Sequence, residues 1–358
     1  MLREEDSQPR AWPTMVQRGY GASISVLSTL LISVNACISV RYVGTVNSER
    51  ASHGHSLTPT EILSPVTKDL HSRFHSAEKP RLRSGIGLAL GGGFARGYAH
   101  LGVLKELEEH QIPIACISGS SIGSILGTAY ASGVPLATII EKCREIRFRD
   151  FARWRVSRFG LASNDRLGDL AHRFFDSRQF EDLDMPLAIV ATDLGTGDPV
   201  VFRQGSLVDA IRASCAFPGL FEPVQIGTRF LADGGLVAPV PTRAARELGA
   251  ETVVGICVGL HDGYRGAPKN IFQVVSRAVS AAQKHQLEGW ERHADVVLRP
   301  AVQSFAWDDF DRIDEAMEAG AAAARTAIPQ IKKLLASRIH QPFAAGRQGE
   351  YLFAEALR

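Results

Sequence analysis

Residues 85–133, GIGLALGGGFARGYAHLGVLKELEEHQIPIACISGSSIGSILGTAYASG, constrain this chain more than any other stretch. Gly85–Leu90 is a short apolar run that stops at three glycines. Arg96–His110 carries Leu101, Leu104 and Leu107 at helical spacing, and Pro113 follows its end. Ile114–Ile117 is a second apolar run. It leads into Gly119-Ser120-Ser121-Ile122-Gly123, after which Ile125, Leu126 and Ala129 predict another helix closed by Gly133. Two strands joined by a helix make a right-handed parallel unit, and its ligand site lies at the carboxyl ends of the strands. Both glycine-rich turns therefore fall on one edge of one sheet.

That placement gives the turns a chemical meaning. G-x-S-x-G on a strand-to-helix turn is a nucleophile elbow, in which the glycines permit a cramped bend that pushes the serine hydroxyl outward. Ser121 is the middle residue and the candidate nucleophile. The helix behind it offers free N–H groups, beginning with that of Ile122. Gly91, Gly92 and Gly93 have no side chains to hide their N–H groups and are candidate oxyanion donors, each worth about 3–4 kcal/mol when removed.

A serine hydroxyl needs a base. Asp233 follows the brief strand Phe230–Ala232, and Gly234-Gly235 let a partner approach closely. A carboxylate that reaches the hydroxyl can act directly, although D-G is also an ordinary turn. Histidine is the commoner base, and His261, His285 and His293 lie downstream. Of these, His261 sits in a small-residue loop, Gly259-Leu260-His261-Asp262-Gly263.

The rest of the chain supports a layered α/β fold. Met185–Thr192, Glu251–Val258 and Asp295–Arg299 read as strands, and Pro199–Arg203 as a hairpin partner. Leu207–Ala213, Thr242–Leu248, Asn270–Glu291 and Asp309–Ala336 read as helices, the third as one long helix. The alternation predicts a mostly parallel sheet with helices on both faces. Four segments are expected: 1–40, 41–83, 84–300 and 301–358. The first holds an uncharged run, Gly21–Val40, behind Arg18, which fits a cleaved signal or a membrane anchor. Val34-Asn35-Ala36-Cys37 loosely resembles a lipoprotein cleavage box, making Cys37 a candidate lipidation site and export the expectation, with a cytoplasmic tail as the alternative. Residues 41–83 are a polar linker, and 301–358 a C-terminal helix with a loose tail. Between Arg144 and Phe159, arginines alternate with Phe148, Phe151, Trp154 and Phe159. The favoured reading is a cap helix with its rings inward; the other is an anionic membrane surface.

GGGFARG, GSSIG and DGG, in that order and spacing, resemble the patatin-like phospholipases. ATDLGTGDPVVF, IRASCAFPGLFEPV and FLADGGLVAPVP are similar to the bacterial branch, itself similar to the catalytic domain of neuropathy target esterase. The resemblance implies a three-layer α/β/α sandwich related to α/β-hydrolases over about residues 84–300. It implies hydrolysis of lipid acyl esters by a Ser121–Asp233 dyad without histidine or cofactor. It puts the oxyanion loop on Gly91–Gly93, closed by Arg96 and Gly97, with Gly119, Gly123, Gly234 and Gly235 as motif support. A lipid substrate, and with it a membrane surface, are the implied partners.

Other classes fit less well. A dinucleotide fingerprint needs its third glycine where Arg96 stands and an acid where the second strand ends in Ser118-Gly119-Ser120. A P-loop needs a Gly-Lys-Ser/Thr that is not there. The net charge of +2 argues against a general nucleic-acid binder. The five scattered cysteines suggest neither a disulfide framework nor a zinc site, so no metal is expected.

Overall fold

The computed structural model describes residues 84–155, 157, 159–174, 179–259 and 266–339. Cys37 and the other expectations for residues 1–83 lie outside these, as do His261 and the tail from 340 onward.

One eight-stranded sheet forms the centre. Its parallel part runs β10 (Val296–Leu298), β9 (Thr252–Ile256), β1 (Ile86–Leu90), β2 (Ile114–Ser120) and β5 (Leu187–Asp193). Every residue of β1 is buried, as a strand covered on both faces requires. Alternation sorts the side chains into two cores. Leu88, Leu90, Ile117 and Ile256 join the larger one, whereas Ala89, Cys116 and Val253 join a smaller one with Trp290. The expectation of a mostly parallel sheet holds, with an antiparallel end: β6 (Pro199–Phe202) and β8 (Arg229–Asp233) both pair antiparallel with β5, and β7 (Val224–Ile226) pairs with β8.

Between these strands come α1 (Ala99–Glu109), α2 (Ile122–Ala131), α3 (Leu136–Glu145), the single turn α4 (Phe148–Phe151), α5 (Arg166–Phe174), α6 (Leu207–Ser214) and α7 (Thr242–Glu247). A two-stranded ribbon, β3 (Arg153–Trp154) with β4 (Ala162–Ser163), lies between α4 and α5. The rings of Phe148 and Phe151 turn inward against Trp307 and Phe310, at 5.3 Å and 5.4 Å between centroids. Arg144 pairs with Asp314, and Arg147 with Asp311. The inward packing expected of a cap holds for Phe148 and Phe151, but the helix is one turn long and Phe159 stands 57% exposed.

The expected single helix over 270–291 is two: α8 (Ile271–His285) and α9 (Leu287–Glu291). The break has a packing reason. No residue of α8 is buried, whereas α9 carries Trp290 into the smaller core. At the break Gln286 donates from Nε2 to Leu236 O (3.1 Å). The last helix, α10 (Ile313–Ile339), packs onto α1 with backbones nearly touching: a Cβ on Gly320 would lie 1.9 Å from Ala99 O. The C-terminal helix is thus built into the same α/β unit, not appended to it. No helix among the described residues is long and apolar enough to cross a membrane.

Candidate active site

β5 acts as the common ruler. Ile117–Ser120 of β2 pair with Leu187–Val190, and Leu231–Asp233 of β8 pair with Asp193–Ala191. β6 takes Ile189–Thr192 on the opposite edge, so β2 and β8 must share one edge, running toward each other. They end head to head: Ser120 faces Val190 and Asp233 faces Ala191, the next residue along. Ser121 and Asp233, 112 positions apart in sequence, therefore meet at adjacent strand ends.

The join tolerates no extra atoms. A Cβ on Gly234 would sit 2.0 Å from Val190 O, and one on Gly123 would sit 2.2 Å from Leu90 O. Gly119 is pressed against Gly123 O, and Gly97 against the Ile122 side chain. Ser121 itself stands at φ 53°, ψ −127°, where few residues with a side chain are found. This is the strained elbow that the motif predicts. The strain is held by hydrogen bonds: Ser121 N–H donates to Ser214 Oγ (2.9 Å), and that hydroxyl donates to Val190 O (2.6 Å).

Asp233 is buried, and its backbone is tied by N–H donation to Ala216 O (2.9 Å) and by Thr192 Oγ1 donating to its carbonyl (2.8 Å). Oδ1 accepts from Gly235 N–H at 2.8 Å. Oδ2 is buried and accepts no well-formed hydrogen bond among the described residues. Burial pushes the carboxyl up from 3.8 to about 6, while the nearby Ser121 hydroxyl and the Gly235 N–H pull it down. The serine is thus close enough to act on the carboxyl without a tight bond, a looseness common before substrate binds. Both residues line one cleft, together with Gly92, Gly93 and Arg96.

The glycine loop needs a correction. Gly91 N–H donates to Ile256 O (3.1 Å) and Gly92 N–H donates to Pro239 O (3.2 Å), so neither is available to an oxyanion in this conformation. Both acceptors lie far along the chain, which is why the motif could not exclude them. The Gly93 and Ile122 N–H groups take no partner among the described residues and border the space around Ser121. Arg96 is buried and donates from Nε to Gly93 O (3.3 Å), bracing the loop.

Several residues go unannounced by the motifs. Ser118 and Ser120 donate to Pro241 O and Ala238 O, both at 2.8 Å, and strap the segment after Asp233 onto β2. Gln283 of α8 donates to Gly235 O (2.7 Å). His100 lies behind the loop, its Nε2 2.8 Å from Gly91 O. No histidine among the described residues lines the cleft; His285 ends α8, and His293 faces Arg243, Arg246 and Arg292.

Two spaces open at Ser121. One is the cleft, whose wall from α8 brings Gln273, Ser276 and Arg277, with the rings of Phe272 and Trp307 tilted against each other at 4.9 Å. The other is a narrow slot lined, apart from Ser121, by apolar side chains, among them Ile125, Phe151, Leu167 and Phe221.

With this geometry in hand, comparisons with known proteins are specific. Residues 88–246 match the patatin-like phospholipase family profile. An NTE family protein of Mycobacterium tuberculosis is 33% identical over 199 residues, covering 51% of each chain. Patatin-like phospholipase domain-containing protein 6 of Homo sapiens is 35% identical over 206 residues, 54% of this chain and 15% of that one. Among solved structures, VipD from Legionella pneumophila aligns over 71% of this chain and 67% of its own, at 13% identity and a TM-score of 0.40. The chain spans about half the length of the mycobacterial relative. Residues 88–246, the part of the α/β unit that carries Ser121 and Asp233, are thus a patatin-like phospholipase domain by this match.

Proposed function

We propose that this chain hydrolyses acyl esters of lipids with Ser121 as nucleophile and Asp233 as general base. The observation that carries the reading is the meeting of β2 and β8 on one edge of β5, which sets a hydroxyl beside a buried carboxyl in an open cleft. Asp233 takes the proton as Ser121 Oγ bonds to the ester carbon. The Gly93 and Ile122 N–H groups are the donors for the resulting oxyanion. Collapse breaks the ester C–O bond, and the proton on Asp233 goes to the departing alcohol. Water then adds to the acyl-serine, giving its proton to Asp233. The acyl–Oγ bond breaks, the proton returns to Oγ, and a fatty acid leaves.

We assign the first carbons of the acyl chain to the mouth of the narrow slot, because beside the nucleophile and the Cys215 thiol its lining is apolar. The alcohol side faces the cleft, with its glutamine, serine and arginine side chains. Ile271 and Val274 stand 69% and 46% exposed on the same helix that walls the cleft, the side from which we propose a lipid surface is approached. Export or anchoring through residues 1–40 stays part of this proposal. The test is fatty acid release from mixed phospholipid and lysophospholipid vesicles. Wild type is expected to release fatty acid and Ser121→Ala to lose at least about a thousandfold in rate. Release by Ser121→Ala at the wild-type rate would remove the proposed nucleophile.

A further inference from the structure

The Gly91–Gly92 peptide is clamped at both ends. His100 Nε2 lies 2.8 Å from its carbonyl oxygen, and its N–H donates to Pro239 O at 3.2 Å. The carbonyl and N–H of a trans peptide point in opposite directions, so two clamps fix its plane and a flip must break both. The next N–H along the loop is that of Gly93, the loop glycine whose N–H is left without a partner among the described residues.

The imidazole is poorly explained by packing. His100 is completely buried on α1, the helix whose Leu101, Val103, Leu104 and Leu107 join the larger core. Burial pushes its pKa down to about 4, so the ring is neutral near pH 7 and carries one proton. A carbonyl oxygen only accepts, so that proton sits on Nε2. Nδ1 is then a buried acceptor with no partner among the described residues. An aliphatic side chain would fill the space without orphaning a nitrogen. What an aliphatic residue could not do is donate to Gly91.

We propose that His100 is the positioning residue of the oxyanion hole: through the Gly91 carbonyl it holds the loop so that the Gly92 N–H faces Pro239 and the Gly93 N–H faces the cleft. It acts behind the loop and touches no substrate. The inference rests on the acyl chemistry proposed at Ser121, and the experiment separates the two.

His100→Leu has similar bulk and no donor; His100→Gln keeps an N–H donor. Each is compared with wild type for hydrolysis of a short p-nitrophenyl ester and for inhibition by an alkyl trifluoromethyl ketone, which forms a tetrahedral adduct with an active serine. His100→Leu is expected to lose about 30–100-fold in kcat with KM within about threefold, the size of effect expected when one oxyanion donor is misplaced. Its inhibition constant should rise by the factor by which kcat/KM falls, and His100→Gln should recover at least about tenfold of the loss. An unchanged kcat in His100→Leu, a loss confined to KM, or equal losses in both variants overturns the positioning role while leaving the Ser121 chemistry standing. A wild-type protein that neither turns over the ester nor binds the ketone overturns both. Nitrogen-15 NMR of the histidines in the wild-type protein gives a reading independent of any variant. A neutral ring protonated at Nε2 is expected for His100, and protonation at Nδ1 would refute the clamp.

Discussion

Asp233 holds two opposed demands in one side chain. As the proposed base it must be charged to take a proton, yet this carboxyl is buried, and burial raises it from 3.8 to about 6. The rate should therefore climb about tenfold per pH unit below 6 and flatten above it. The same shift fixes a stability effect and its sign. A native carboxyl that holds its proton more tightly than the unfolded one loses stability as pH rises from about 4 to about 6, and the cost is fully present above that. The gap between 3.8 and about 6 corresponds to about 3 kcal/mol. Asp233→Asn keeps an Oδ1 acceptor for Gly235 N–H and carries no charge. It should melt about 5–10 °C higher than wild type at pH 7.5, converge with it near pH 4, and be inactive. Thermal melts across that range check this; a variant less stable than wild type at pH 7.5 would contradict the buried charge. At this scale the sequence was readable where a local motif fixes the backbone, as for the strained turn at Ser121 in G-x-S-x-G. It was not readable for Gly91 and Gly92, whose N–H groups are engaged by Ile256 and Pro239 from remote segments. Nor did it mark His100, which on an amphipathic helix looks like any other helix position.

Among the elements, β5 decides the site. Its register against β2 and β8 is what brings two strand ends together, and Gly234 is the contact that permits it. Gly234→Ala would drive a Cβ to 2.0 Å from Val190 O, where a backbone carbonyl cannot yield without moving the strand. We expect it to cost on the order of 3 kcal/mol or more and to abolish activity, read by denaturant melts and ester turnover on the folded fraction. A stable, active Gly234→Ala would mean the strand ends are not so tightly joined. The strand over Phe230–Ala232 was legible from its apolar run, but its direction was not. Antiparallel pairing follows from which edge of β5 is left open beyond β2, a property of the assembled sheet. The long helix expected over 270–291 failed for a related reason. Periodicity reports one helix, but only tertiary burial of Trp290 shows that the chain must break and redirect at Gln286.

Across the whole molecule, the cleft draws on both ends of the described chain. The glycine loop follows β1, while Trp307, from the segment before α10, meets Phe94 of that loop edge to face at 5.3 Å. α10 in turn lies against α1, which carries His100, so the C-terminal helix buttresses the loop from behind. A boundary at residue 300 is plausible from sequence because the motifs end there, yet the fold continues through 339. The central claim at this scale is that one serine and one aspartate, and no histidine, make the reactive pair. The most direct test is intact-protein mass spectrometry of reaction with an alkyl fluorophosphonate, with the adduct mapped by peptide digestion. The account predicts a single adduct on Ser121 in wild type, formed at the same rate in His261→Ala and His285→Ala, slowed by at least about a hundredfold in Asp233→Asn, and absent in Ser121→Ala. An adduct on another residue, or wild-type labelling in Asp233→Asn together with its loss in His261→Ala, would contradict it.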